Sequence, residues 1–345
     1  ILSLLGVNNI IVVISKIDLV HDNEWIDLVE LEIKEILDDN NFQILGLHRI
    51  DNLTGSGIQL LKDDIIALAK NHQSQSILPY FRMNIDRVFS KTGFGTIVTG
   101  TIQNGEVKKG DRLEVLPSGL ITKVRGIQTH GGVTSSVGIG DRAALNLANI
   151  KAIDISRGTV ISTPKYLIIT KRIIANILMT KNTKWVIKNK QRLRFHFGTA
   201  EVFGRVSGKR LEKGKSQNMI IDLESSIAIA MDEKFVIRSY SPMETIAGGL
   251  VINPHPKGHW SEIQHQANNL PINITDRFLF IINLEWKHPK SKEEWQSFFN
   301  ISSETLQKIL NEDNINKAKA GILFTGDAMK KGQGELKEFF NKSYK

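Results

Sequence analysis

Residues 84–101 read Asn84-Ile-Asp-Arg-Val-Phe-Ser-Lys-Thr-Gly-Phe-Gly-Thr-Ile-Val-Thr-Gly-Thr101, and how this stretch is read decides the fold. It predicts two β-strands joined by a tight turn. Ile85, Val88 and Phe89 supply apolar side chains on one arm, and Ile97 and Val98 supply them on the other. Gly93 and Gly95 stand between the arms, where a turn needs positive φ or close backbone approach. Periodicity alone makes this a half-buried sheet element of a β-barrel.

N-terminal to the hairpin the pattern differs. Ile10–Ile14 is a β-branched run suited to a strand buried on both faces of a parallel sheet. Asp22 or Asn23 can cap a helix whose apolar face is Trp25, Leu28, Val29, Ile33, Ile36 and Leu37. Phe42–Leu47 predicts the next strand, and Ile58, Leu61, Ile65 and Leu68 stripe a second helix. Strand–helix–strand–helix is the alternation of a parallel α/β sheet.

C-terminal to the polar linker His72–Pro79, short strands with Gly and Gly-Asp turns continue to about Pro256, which predicts antiparallel barrels. A break near Ser162–Tyr166, containing Pro164, divides them into two. The pattern then turns helical. Ile274–Trp286 is apolar-rich, and Ser291-x-x-Glu294 is a capping box ahead of Trp295, Phe298 and Phe299. Asn300-Ile-Ser302 makes a turn into a third helix, Ser303–Leu310; Ile315–Phe324 predicts a hairpin or wing, followed by a helix to Phe340. The expected domains are 1–72, 80–163, 166–256 and 262–345: a multidomain chain running α/β, then all-β, then α.

Composition narrows the function classes. The 345 residues suffice for two or three domains with their own cores. With no cysteine, disulfides and thiolate metal sites are excluded, which fits a reducing cytoplasm. The opening Ile1–Ile14 has no basic flank or small-residue cleavage site and is too short to span a bilayer. It starts inside a hydrophobic run, so a fragment beginning partway through a domain is expected. Residues 1–72 carry a net −7, residues 73–260 a net +15, and residues 261–345 are close to neutral. A basic middle is the asymmetry expected of a segment that meets a polyanion.

Several strings carry a family resemblance. The hairpin resembles the opening of the second-domain barrel of translational GTPases, and Asp86-Arg87 resembles the selenocysteine-specific elongation factors in particular. Gly110-Asp-Arg-Leu113 and Gly140-Asp-Arg-Ala143 match the same barrel. His196-Phe-Gly-Thr-Ala-Glu-Val-Phe-Gly-Arg-Val206 and Arg238-Ser-Tyr-Ser-Pro-Met-Glu-Thr-Ile-Ala-Gly-Gly-Leu-Val-Ile-Asn-Pro254 resemble the third domain of those factors. Ser15-Lys16-Ile17-Asp18, at the carboxyl end of the first strand, resembles the guanine-specificity motif Asn-Lys-x-Asp.

The resemblance implies a guanine site. Asp18 would accept from the ring N–H and exocyclic amine of guanine, and adenine would be rejected by an unpaired polar group. The stem of Lys16 would lie along the base, and Ser15 replaces the usual asparagine. Asp51, Asn52 and Leu53 open a segment similar to the family's Ser-Ala-x-Thr-Gly loop, whose backbone amides meet the guanine carbonyl. No phosphate loop occurs in residues 1–72, and neither a magnesium ligand nor a water-positioning residue is supplied there. The expected cofactor is therefore GTP, with Mg²⁺ only in the full-length protein. No catalytic or metal-ligating residue is expected here, and the chain as written should not hydrolyse GTP.

The resemblance also implies that Asp86, Arg87 and Arg142 form the pocket for the aminoacyl group of selenocysteinyl-tRNA. A selenol is an anion at neutral pH, and two guanidinium groups favour it over the hydroxyl of serine. Lys181, Lys184, Lys188, Lys190, Arg192, Arg194, Arg205, Lys209, Arg210, Lys213 and Lys215 are candidates for contacts to tRNA backbone. The last domain resembles a winged helix; in the family, distal copies grip a hairpin in selenoprotein mRNA. The expected role is GTP-dependent delivery of selenocysteinyl-tRNA to the ribosome in the cytoplasm, with no membrane partner. The alternatives are a generic translational GTPase, such as an initiation-factor relative or a rescue factor, and a non-enzymatic RNA-binding barrel and winged-helix protein. A sulfate-activation GTPase shares the barrel topology, but nothing in the sequence suggests its site.

Overall fold

A computed structural model of the chain describes residues 1–71, 78–91, 95–312 and 315–343. The chain forms two compact units, residues 1–75 and 76–345. Among the described residues no helix is long and apolar enough to cross a membrane.

In the first unit, β1 (Asn9–Ser15) pairs in parallel with β2 (Gln43–Ile50), and Ser15 lies opposite Ile50. The crossover is α1 (Asn23–Asp39), capped by the Asp22 carboxylate, which accepts from the Glu24 amide. After β2 comes α2 (Ile58–Asn71). The run read as buried on both faces is only half-covered: β1 has β2 as its one paired neighbour among the described residues, and Val13 is exposed.

The second unit opens with β3 (Arg82–Lys91) and β4 (Gly95–Asn104), the hairpin on which the reading turned. Gly95 does take positive φ, 84°, while Gly93 lies outside the described residues. Next come β5 (Glu106–Lys108), β6 (Arg112–Leu116), β7 (Leu120–Thr129), β8 (Gly132–Thr134), β9 (Ser136–Gly138), β10 (Arg142–Leu147) and β11 (Val160–Ser162). The order β10-β4-β3-β11-β6-β7 closes on itself through a β10–β7 pairing, with β8 at the side and β5–β9 as a separate ribbon. Met83, Ile85, Val98, Val115, Ile127 and Leu145 fill this first barrel.

The second barrel runs β12 (Ile168–Met179), β13 (Arg192–Phe197), β14 (Ala200–Ser207), β15 (Ser216–Ile229), β16 (Lys234–Arg238) and β17 (Thr245–Asn253). It closes in the order β12-β15-β14-β13-β16-β17 around Phe195, Phe197 and Phe235. Its strands β12, β15 and β17 are covered on both faces. Ile173 points into the barrel while Ile174 joins Ile220, Met231 and Ile252 in a core shared with the helices beyond.

Those helices are α3 (Trp260–Asn269), α4 (Ile274–Leu284), α5 (Lys292–Phe299) and α6 (Ser303–Glu312). A two-stranded ribbon follows, β18 (Ile315–Lys317) with β19 (Leu323–Thr325), then α7 (Gly326–Ser343). The Ser291-x-x-Glu294 capping box forms as read, and Asn300 takes the left-handed conformation (φ 54°) that ends α5. The sequence reading missed α3.

One turn of the second barrel ties three parts of this unit together. Asp232 grips the buried Arg277 of α4 through both oxygens, at 2.5 and 2.6 Å. The adjacent Glu233 receives Arg82 of β3 at 2.6 Å, with both side chains almost fully buried. A second link, from the helices to the first barrel, is the Tyr166 hydroxyl, which meets Asn104 and Asn300.

Candidate functional site

The parallel register of β1 and β2 brings two sequence-predicted loops to one edge, since Ser15 and Ile50 are partners and the next residues leave the sheet together. Lys16 turns the chain with φ 63°, and Ile17–Leu19 makes a single 3₁₀ turn that leaves Asp18 exposed. Asp51 is buried and braces its own loop. Its carboxylate accepts from the Thr54 hydroxyl, from the Leu53 amide at 2.8 Å and from the Thr54 amide at 3.1 Å. The Thr54 hydroxyl, then the Leu53 amide, hold the Asp51 carboxyl below its ordinary range, and Asp18 also contacts it.

This arrangement separates the predicted residues. Ser15, Lys16 and Asp18 are exposed at the strand end. The Leu53 and Thr54 amides are spent on Asp51, so they are not open to a guanine carbonyl, and the Leu53 side chain points outward, 87% exposed. The loop closes because Gly57 is glycine. It has φ 74°, and a Cβ there would sit 2.1 Å from the Arg49 carbonyl oxygen.

On the first barrel a β-bulge does the positioning. Ile85 faces Gly100 and Arg87 faces Thr99, so Asp86 is an extra residue on β3. Without it, adjacent residues would alternate between core and surface. With it, Asp86 and Arg87 both reach the outer face. Arg142, opposite Thr101 on the far side of β4, lies on that face too. Arg142 Nη1 donates to Asp86 Oδ2 at 2.6 Å and Nη2 to Oδ1 at 3.2 Å; the Thr99 hydroxyl adds a bond at 2.7 Å.

The Arg142 fork, supported by Thr99 and by the charge of Arg87, holds the Asp86 carboxyl below its usual range against partial desolvation. Arg142 itself is 55% exposed, so the face is open rather than walled. Two guanidinium groups and one carboxylate leave it a net +1. Arg142 gives two of its five N–H donors to Asp86.

The second barrel buttresses this bulge, which sequence reading did not anticipate. The β13–β14 turn presses Gly198 and Thr199 against β3, and the Thr199 hydroxyl donates to the Ile85 carbonyl at 2.8 Å. Gly198 has φ 53°, and a Cβ on it would lie 1.9 Å from the Asn84 side-chain nitrogen.

The basic residues of the second barrel divide into two sets. Arg192 is forked onto Glu224 at 2.6 and 2.8 Å, Arg194 pairs with Glu201, and Arg205 donates to the Lys190 carbonyl. These arginines, read as contacts for a polyanion, are engaged within the barrel. The Arg192 guanidinium also lies 4.2 Å from the Phe203 ring centroid. The lysines at 181, 184, 188, 209, 213 and 215 are exposed on the 180–191 and 208–215 loops.

Comparison with known proteins follows the same division. Residues 95–162 match the family model of elongation factor Tu domain 2, and residues 172–258 match that of the selenocysteine-specific elongation factor β-barrel domain. The selenocysteine-specific elongation factor of Desulfomicrobium baculatum is 30% identical over 255 residues, covering 73% of this chain and 40% of that protein. The apicoplast elongation factor Tu of Plasmodium falciparum is 30% identical over 285 residues, covering 72% of this chain and 68% of that protein. The solved translation elongation factor SelB from Methanococcus maripaludis, in complex with the GTP analogue GPPNHP, aligns with a TM-score of 0.66 at 26% identity, over 76% of this chain and 62% of that one. The chain thus spans 40% of the length of the bacterial selenocysteine factor it matches. With one barrel of the elongation factor Tu type followed by one of the selenocysteine type, the chain belongs to the selenocysteine-specific branch of the translation elongation factor family.

Proposed function

We propose that the protein carrying this chain delivers selenocysteinyl-tRNA to the ribosome in a GTP-dependent cycle in the cytoplasm, and that Asp86, Arg87 and Arg142 receive the aminoacyl group. The observation that carries the reading is the shared outer face of Arg87 and Arg142, with Asp86 brought onto it by the bulge. A net +1 face complements one selenolate. Serine offers only a neutral hydroxyl there, so the charge match is lost. Asp86 orients Arg142 and keeps two like charges from opposing each other without a ligand.

At the β1–β2 edge the residues present fit a base and not a phosphate chain. Asp18 and the stem of Lys16 would hold guanine, and Ser15 and Asn52 would flank it. Asp51 and Leu53 would shape the loop rather than touch the base. Bound GTP would supply the on-state of the cycle. The α3–α7 module, with its helix-turn-helix and ribbon, is read as a winged helix. Its candidate recognition helix α6 carries Glu304 and Lys308 but no basic cluster, which favours a spacer role between the barrels and any mRNA-gripping segment.

The test is binding of the full-length protein, with GTP, to selenocysteinyl-tRNA and seryl-tRNA. A fully buried charged partner is worth about 2–5 kcal/mol. Arg142 is more than half exposed, so Arg142→Ala is expected to lower the discrimination by less than a buried partner would, roughly 5- to 30-fold. An equal loss for both tRNAs would overturn the assignment.

A further inference from the structure

The seam between the second barrel and α3 holds a cleft of about 310 Å³ that the aminoacyl and guanine sites do not use. Its lining includes Asn189, Lys190, Lys209, Trp260, Gln264 and Asn268. A volume near the lower end of small-ligand sites suits a single nucleotide-sized group. Trp260, the first residue of α3, keeps 37% exposure. Lys190 Nζ stands 4.6 Å from the indole centroid and the Arg172 guanidinium 5.4 Å. Both cations come from the barrel, so the ring is held against that surface.

The surroundings set the sign of the ligand. The 180–191 and 208–215 loops are fastened by a pair of backbone bonds between Ile187 and Leu211, at 3.0 and 2.9 Å. Together these 20 residues hold eight Lys and Arg and one carboxylate, Glu212, which Arg210 meets at 3.5 Å. The remaining lysines therefore have no carboxylate of their own loops to neutralise them. Lys190 Nζ bonds the Ser207 hydroxyl at 2.9 Å, which fixes it beside Trp260. Such a lobe attracts a polyanion. An indole and several carboxamides at its rim add what a bare phosphate grip lacks: a stacking platform and groups that pair with a base edge.

We propose that this seam binds an unstacked nucleotide of a single-stranded or looped RNA segment, with Trp260 as the stacking platform, Gln264 and Asn268 on the base edge, and the lysine loops on the flanking phosphates. The site is separate from the Asp86–Arg142 face and does not depend on it. Arg142→Ala is expected to leave it intact, so the two readings fail independently.

The experiment is fluorescence anisotropy of labelled ten-nucleotide single-stranded RNA, an RNA duplex of equal length, and heparin, each titrated with the full chain at low and moderate salt. Single strands are expected to bind tighter than duplex. Trp260→Ala should weaken single-strand binding roughly 5- to 150-fold, as for the loss of one base stack, and Trp260→Phe should keep much of it. Gln264→Ala and Asn268→Ala are exposed changes that leave α3 folded, so they are expected to weaken single-strand binding while the circular dichroism stays unchanged. Lys209→Gln with Lys213→Gln should flatten the salt dependence. Single strand, duplex and heparin bound alike, with no response to Trp260 or Gln264, would overturn the nucleotide site and leave a general polyanion lobe. Absence of RNA binding at low salt would overturn the proposal altogether.

Discussion

Asp232→Asn is the sharpest test of how the second unit is held together. Arg277 is 1% exposed; its Nη2 is bonded to both oxygens of Asp232, and its Nη1 donates to the Ile272 carbonyl at 2.8 Å. Asparagine keeps the size of the side chain and accepts the left-handed backbone at this position (φ 59°), so the substitution removes charge and little else. Removing one partner of a buried pair costs about 3–5 kcal/mol. The Asp232 side chain keeps 31% exposure, so water and the new amide oxygen recover part of that. The expected loss is about 2–3 kcal/mol, or about 1 M in the urea midpoint at a typical slope. Tryptophan fluorescence reads the transition well, because Trp260, Trp286 and Trp295 all lie in the helical module. Arg277→Met in the same chain removes the orphaned cation and should restore more than half of the loss. An unchanged midpoint for Asp232→Asn, or a double variant as unstable as the two single losses added, would refute the reasoning.

Three further outcomes are expected. The folded Asp86 carboxyl sits below its unfolded value, so the Arg142 contact contributes fully above about pH 4–5 and is lost as pH falls through the lowered folded value. Asp86→Asn should flatten that acid limb in melts from about pH 3 to 7, with a change near neutrality of about 1 kcal/mol or less. Tyr166→Phe deletes a buried hydroxyl and leaves the Asn300 oxygen with only the longer 3.4 Å bond from Asn104, which should cost about 1–2 kcal/mol by urea titration. Gly57→Ala drives a methyl into the Arg49 carbonyl and should destabilise residues 1–71 alone, visible as lost amide-exchange protection in β2 while the second unit keeps its own.

Much of the architecture was legible because its signals are local. The Ile85–Val98 hairpin, the alternation before residue 72 and the Ser291 capping box each announce themselves within a dozen residues. What escaped is non-local or faint. Helix α3, Trp260-Ser-Glu-Ile-Gln-His-Gln-Ala-Asn-Asn269, offers only Trp260, Ile263 and Ala267 as an apolar stripe, and its core partners lie on the outside of a barrel. A signal for that contact did exist: Ile173-Ile174-Ala175 is a continuous apolar run, where a strand with one wet face would alternate. The bulge at Asp86 leaves no mark in composition, since only the register against β4 shows which of two adjacent residues is the extra one. The arginines at 192 and 194 look like free cations in sequence because Glu224 and Glu201 reach them across strands.

The wedge made by Gly198 and Thr199 has a kinematic consequence. It bears on the peptide immediately before Asp86, so the arginine-bearing edge is tied through main chain to the second barrel. A twist between the barrels loads the Ile85 carbonyl through the Thr199 bond, one residue from the carboxylate that meets Arg142. The joint is one side-chain hydroxyl long, so the two barrels meet within a residue of the arginine-bearing edge.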